Sequence, residues 1–221
     1  MPIDWGPIWL TLRLAGVTTL LLLVIGIPLA GWLALSRFRL KPVFEAIISL
    51  PLVLPPSVVG FYLLLTFSPT SSLGAWLLKT LNLQLVFSFE GLVVASLIYS
   101  LPFMVHPIQA GIENLPVSWR EASYTLGQSP ARTLWRVLLP NCKPALLTGI
   151  VLTFAHTIGE FGLVMMIGGN LPGQTRVASI AIYDEVELLH FQTAHTYAAL
   201  LLAVSFIILL VVYAINKRVT V

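Results

Sequence analysis

Cysteine is nearly absent from this chain. Cys142 stands alone among 221 residues, which excludes an intrachain disulfide and any CxxC redox or metal motif. Charge is scarce as well: 12 Lys and Arg and 9 Asp and Glu make up only 10% of the residues, against ~25% in a soluble domain. No GxxxxGK[ST] segment occurs, so the chain has no phosphate loop with which to hydrolyse ATP. HExxH is missing, and no second carboxylate–histidine pair accompanies His156 and Glu160; neither a metal nor another cofactor is expected. No basic stretch precedes the first apolar run, which is too long for a signal h-region and is expected to remain as a span.

Apolar sequence fills the space left by charge. Hydrophobic residues make up 57% of the chain and the mean hydropathy is +0.93, so the reading is one all-α transmembrane domain, residues 1–221, embedded in a lipid bilayer. A spanning helix needs ~20 apolar residues. Five stretches qualify, at about residues 9–35, 44–67, 89–111, 144–167 and 195–215. Between the second and third, Pro69, Ser71, Ser72 and Gly74 read as a turn-rich loop. A long outer loop at about 168–194 carries Asp184, Glu185 and Glu187 and is expected to hold a short helix at the membrane surface.

Basic residues set the orientation. Arg37, Arg39, Lys41, Arg120, Arg132, Arg136, Lys143, Lys217 and Arg218 fall on one side, nine of twelve, with Arg13, Lys79 and Arg176 on the other. The majority side is read as cytoplasmic, which puts the N-terminus outside and the C-terminus inside. The pI near 9.2 is thereby explained by topology, and no nucleic-acid partner is implied.

One polar stretch interrupts the apolar pattern on that side, in a loop at about 112–143. Pro116 suits the first turn of a helix and Asn114 is placed to help cap it. Gly127 supplies a stop, and Ser129-Pro130 restarts a helix at once. The expectation is a helix of about three turns, a corner, and a second helix running to Pro140. Ala122 and Ser123 are small enough to let a partner surface approach, while Trp119, Arg120, Glu121 and Tyr124 offer charge and aromatic contact. The plainer alternative is an amphipathic linker resting on the membrane with Arg and Trp at the headgroups.

The spacing favours the first reading. Glu121-Ala122-Ser123, three residues, Gly127, nine residues, Val137, one residue, Leu139-Pro140 resembles the EAA signature of ABC-importer permeases, with Ser123 in place of the second alanine and Val137 in place of isoleucine. That resemblance implies a type I importer fold and a coupling helix that seats in a cytoplasmic ATPase subunit.

Inside the membrane two features stand out. Pro55 and Pro56, followed by Ser57, sit in the middle of the second stretch, where each proline removes a backbone donor. Irregular backbone at that depth needs protein or a water-filled cavity around it, so the bend either shapes the bundle or lines a path or gate. In the fourth stretch, Thr153, His156, Thr157 and Glu160 recur at i, i+3, i+4 and i+7 and are expected to share one helical face turned from lipid. His156 and Glu160 are spaced to pair. His106, His190 and His195 lie scattered near span ends, where packing is the expected role.

Leu50 to Gly60, Gly159-Glu160-Phe161-Gly162 and Gly169 to Arg176 with Ile182-Tyr183 together resemble the molybdate permease family, with sulfate, thiosulfate and tungstate permeases as the alternatives. The resemblance implies a homodimer in the bacterial inner membrane, served by two ATPase subunits and an extracytoplasmic oxyanion-binding protein. Many relatives carry arginine where His156 stands. An oxyanion 4 Å from an ionised Glu160 would meet roughly 4 kcal/mol of repulsion at an effective dielectric near 20; Glu160 is therefore expected to hold a gate rather than bind cargo. Two rivals differ in class. A passive anion channel would not need the docking loop, and an intramembrane enzyme would use His156 and Glu160 without any ATPase.

Overall fold

The structure, a computed structural model, describes residues 4–219. The side chains of Lys217 and Arg218, part of the basic side, lie outside the described residues. In lipid every backbone polar group must find its partner internally, and the described residues accordingly form helices and no strands.

Three helices are long and apolar enough to cross a membrane alone: α1 (Gly6–Leu35), α5 (Phe89–Glu113) and α12 (Phe191–Val219). At 1.5 Å per residue α1 is roughly 45 Å long, more than the ~30 Å hydrocarbon core, so its ends reach the headgroups. The other two spans are not single straight helices. The second is broken into α2 (Lys41–Val53) and α3 (Pro56–Phe67), whose axes differ by 110°. Leu54 and Pro55, each preceding a proline, take extended ψ of 138°, the conformation that proline's ring imposes on its predecessor. The fourth is α9 (Lys143–Gly159), which stops at Glu160 before α10 (Gly162–Gly168) resumes.

Between the spans lie shorter helices. The stretch read as a loop after the second span contains α4 (Ser72–Leu81), its N-terminus capped by Ser71 Oγ accepting from the Gly74 amide at 2.9 Å and its end turned by Asn82 at φ 50°. α6 (Val117–Thr125) and α7 (Pro130–Thr133) form a corner. A π-helical turn, Leu134–Leu138, and α8 (Leu139–Asn141) follow, and an 85° bend at Cys142 then leads into α9. The outer-loop helix is α11 (Ala178–Glu187). It does not lie free at the surface: Ala178, Ile180 and Ala181 are buried, with Ala178 and Ala181 in one apolar cluster with Ile8 of α1 and Tyr197 of α12.

α5 packs between α1 and α9. One apolar cluster, including Leu22, Leu33, Met104, Ile108, Leu134 and Leu138, fills one half of the bundle. A second, including Leu14, Leu92, Leu163, Val164 and Ile180, fills the other. Polar pairs mark the two ends. Lys41 Nζ binds Glu113 Oε1 at 2.9 Å, and Gln109 Nε2 donates to Glu45 at 2.7 Å. The start of α2 and the end of α5 therefore share the end that carries Arg37 and Arg120. At the opposite end Arg13 lies 4.3 Å over the Phe89 ring and Tyr197 donates to the Asp4 carbonyl at 2.9 Å.

Candidate functional site

The polar stretch folds into a rigid corner. The Gly127 amide donates to Tyr124 O at 2.9 Å and the Gln128 amide to Ser123 O at 3.1 Å. This is the paired closure that ends a helix when the following residue is left-handed, and Gly127 has φ +74°. Ser129 then caps α7 by accepting from the Arg132 amide at 3.3 Å, with Pro130 in the first turn.

Three details differ from the sequence reading. α6 has nine residues, nearer two and a half turns than three, and Asn114 closes α5 instead of capping α6. Ser123 does not face a partner: it is buried, and its hydroxyl bonds Thr133 Oγ1 at 2.8 Å, tying the two arms of the corner together.

The side chains left outward on α6 include Trp119, Glu121, Ala122 and Tyr124, with Ser118 and Thr125 also exposed and Arg120 half-buried. Val117 and Leu126 join them, at 52% and 77% exposure. Sequence reasoning passed over these two, although an apolar residue at each end of a polar helix was the available signal. Pro140, at the far end of the second arm, is also exposed. Behind the corner Leu134 fits where Gly31 of α1 has no side chain, so the second arm of the corner and the first span are in direct contact.

The second candidate site is where the two broken spans meet. Gly60 of α3 lies so close to α10 that a Cβ there would stand 2.7 Å from Met166 Cβ, and one on Gly162 would stand 3.2 Å from Pro56 Cβ. The breaks at Leu54–Pro55 and at Glu160–Phe161 therefore lie against each other. Pro55 and Ser57 are exposed on this chain, Pro56 is half-buried, and Gly60 is buried.

Glu160 leaves the helical face assigned to it, because its own backbone is extended at ψ 132°. Its side chain turns to the start of α10, where Oε1 accepts the Leu163 amide at 3.1 Å. A carboxylate there satisfies an orphan amide and suits the positive end of the helix. Ser179 Oγ of α11 donates to the Glu160 carbonyl at 2.6 Å. His156 Nε2 stands 3.9 Å from Glu160 Oε2, the outer edge of an ion pair, while His156 Nδ1 is within 2.9 Å of Ser100 Oγ.

The rest of the stripe belongs to the α5–α9 contact. The His156 ring stacks on Phe103 with centroids 4.1 Å apart. Thr157 bonds the Thr153 carbonyl at 2.9 Å and meets Ser100 Oγ at 3.2 Å. Thr153 is fully buried, and its hydroxyl has no partner among the described residues. His106 joins Ser49 of α2 at 3.0 Å, and His190 meets Glu185 at 3.1 Å. Among the described residues no group of three His, Cys, Asp or Glu is arranged to hold a metal.

At the opposite end the segment after α10 is knotted by its own side chains. Gly169, Asn170 and Gly173 take positive φ. Asn170 Nδ2 donates to both Asp184 oxygens at 3.0 and 2.8 Å, and Arg176 Nε donates to Asn170 Oδ1 at 2.7 Å. Asp184 was read only as one charge of a loop; its partners, Asn170 and Arg176 (Nη2 3.5 Å from Oδ2), are 14 and 8 residues away, beyond what local pattern reveals.

Residues 23–221 match the family described as binding-protein-dependent transport system inner membrane component. The chain is 47% identical over 215 residues to the molybdenum transport system permease protein ModB of Azotobacter vinelandii, covering 97% of this chain and 95% of that protein. It is 32% identical over 208 residues to the sulfate transport system permease protein CysT of Escherichia coli (strain K12), covering 94% of this chain and 75% of that protein. Among solved structures, the fold is similar to a MetNI methionine ABC transporter chain in an inward-facing conformation, with a TM-score of 0.75 at 18% identity over 96% of this chain and 94% of the other. It is also similar to a chain of a bacterial alginate ABC importer, with a TM-score of 0.81 at 17% identity over 98% of this chain and 79% of that one.

Proposed function

Because the chain belongs to the family of binding-protein-dependent transport system inner membrane components, we propose that it is the permease subunit of an ATP-driven importer whose cargo is molybdate. The observation that carries this reading is 47% identity, along 97% of the chain, to a molybdenum transport permease. Sulfate is the second reading, on the strength of the 32% identity to a sulfate permease. The chain itself is a transport subunit without an ATP site.

The basic end faces the cytoplasm, so the N-terminus is outside and the C-terminus inside. Two copies enclose the path, two ATPase subunits take up α6 and the corner at Gly127, and a binding protein delivers the oxyanion from outside. Trp119, Arg120, Glu121, Ala122 and Tyr124 form the coupling surface, with Ser123 and Pro140 fixing its arms. The gate is the meeting of the two breaks. Pro55, Pro56 and Ser57 present their exposed side to the path, and Glu160 pins the start of α10 behind them. Thr153, His156 and Thr157 brace α9 against α5. In this scheme movement of α6 reaches the gate through Ser123–Thr133, Leu134 and the packed spans.

The test is ATP hydrolysis by the reconstituted permease–ATPase complex, presented in turn with binding protein loaded with molybdate, tungstate or sulfate. Stimulation is expected with molybdate. Stimulation by sulfate alone would make this a sulfate permease. Anion flux without ATP, unaffected by Glu121→Lys, would replace the importer with a channel.

A further inference from the structure

Two adjoining cavities at the basic end border the proposed coupling surface, sharing Arg120 and Tyr124 with it, and contain no residue of the proposed gate. The first, about 240 Å³, lies between the end of α1, the start of α2, the end of α5 and the first turn of α6. Arg37, Lys41 and Arg120 line it, against one carboxylate, Glu113, already held by Lys41 at 2.9 Å. Among the described residues neither Arg37 nor Arg120 makes an ion pair. Val117 and Pro116 on its wall open α6, whose first turn has no side-chain cap. The cavity thus offers two unneutralised guanidinium groups beside the uncapped start of α6, which suits a phosphate.

The second cavity, about 440 Å³, is apolar. Pro28, Trp32, Tyr124, Ala131, Leu134 and Trp135 contribute to it, and it shares Leu35 and Ser36 with the first. Trp32 packs against Phe38 and, edge-on, against Phe44, with ring centroids 4.9 and 5.4 Å apart, next to Arg37, Arg39 and Lys41. Such a belt of aromatic and basic side chains marks headgroup depth. A cationic chamber at that depth, joined through Ser36 to an apolar chamber walled by tryptophan, has the polarity of one molecule: an anionic phospholipid.

We propose that this double cavity binds a phosphatidylglycerol molecule of the cytoplasmic leaflet, its phosphate between Arg37 and Arg120 and one acyl chain along Trp32 and Trp135. The lipid would wedge between α1 and the coupling helix and hold α6 at its angle to the bundle. A free oxyanion would use only the first chamber. The site does not depend on which oxyanion is carried; the sidedness proposed above sets only the leaflet.

The permease–ATPase complex, purified in mild detergent, is examined by native mass spectrometry after equilibration with phosphatidylglycerol or phosphatidylcholine. Wild type is expected to retain phosphatidylglycerol preferentially. Arg37→Gln should weaken that retention about fivefold, the equivalent of about 1 kcal/mol for one basic group beside an anionic lipid. Ser36→Trp, which blocks the junction of the chambers, should abolish it. Equal retention of the two lipids by wild type would overturn the proposal without recourse to variants, and so would unchanged retention in both variants. Displacement of the lipid by millimolar inorganic phosphate would make this a free-anion site. Retention by the permease alone that is lost when the ATPase binds would make it part of that interface. Failure of molybdate to stimulate ATP hydrolysis would leave the lipid result standing, so the two proposals fail separately.

Discussion

Gly127 isolates the corner from everything around it. Its φ is +74°, and a Cβ added there would meet nothing within 4 Å, so a substitution alters backbone preference and no packing. An L-residue other than glycine loses about 1–2 kcal/mol in the left-handed region, asparagine suffers least, and a β-branched side chain suffers most. A cost of that size shifts the balance between the closed corner and its alternatives by a factor of roughly 5–30. It falls on the two hydrogen bonds that close the turn, Gly127 N–H to Tyr124 O at 2.9 Å and Gln128 N–H to Ser123 O at 3.1 Å. Gly127→Asn should therefore behave close to wild type, Gly127→Ala should lose about fivefold or more in substrate-stimulated ATP hydrolysis, and Gly127→Val should couple least. Co-purification of the ATPase subunit should follow the same order. Thermal unfolding of the membrane bundle should not move, because a Cβ at 127 would meet none of it. The reasoning is refuted if Gly127→Val couples as wild type does, or if Asn is as harmful as Val, since side-chain bulk and not φ would then be in control.

Three further perturbations probe the internal ties. Ser123→Ala strands the fully buried Thr133 hydroxyl and should cost about 1–3 kcal/mol. Ser123→Ala with Thr133→Val should recover part of that loss, and a double-mutant cycle with no coupling energy would show the bond to be idle. Glu160→Ala removes the acceptor of the Leu163 amide and should cost about 1 kcal/mol as a lost helix cap, with transport falling alongside. Glu160→Gln keeps an acceptor and should preserve stability; an Ala variant with normal stability and uptake would remove both the cap and the gate role. Gly60→Ala sets a methyl 2.7 Å from Met166 Cβ and should cost about 1–3 kcal/mol by overpacking. It should also slow uptake more than it weakens ATPase binding, and the reverse order would separate the α3–α10 contact from gating.

What the sequence revealed and what it hid divide along a physical line. The span count was legible because hydrophobic length is a one-dimensional quantity. The corner was legible because Pro116, Gly127 and Ser129-Pro130 act on their own backbone within a few residues. Ser123 was misjudged as an outward residue because only Thr133, ten positions on, draws its hydroxyl inward. α4 was missed because turn-forming residues from Pro69 to Gly74 outweighed the helical spacing of Leu73, Trp76 and Leu77, while in the structure Ser71 serves as a cap instead of a loop residue.

The two helix breaks show the same line most sharply. The bend at Pro55–Pro56 is announced by residues that cannot donate, so a departure from a straight span was expected; only its size, 110°, was not. The break at Glu160 carries no proline. Gly159-Glu160-Phe161-Gly162 reads in sequence as the continuation of an apolar helix with one costly carboxylate, and the i+7 spacing from Thr153 places that carboxylate on a shared face. Ending α9 at Gly159 settles the cost differently. With its backbone extended, Glu160 reaches forward to the Leu163 amide, an orphan donor that exists only because the helix has stopped. The charge and the break thus satisfy each other, a solution that periodicity excludes because periodicity assumes the helix continues. The close approach of Gly60 and Gly162 then sets this hidden break against the announced one. A glycine in each half-helix is what allows two irregular backbones to share one depth in the bundle.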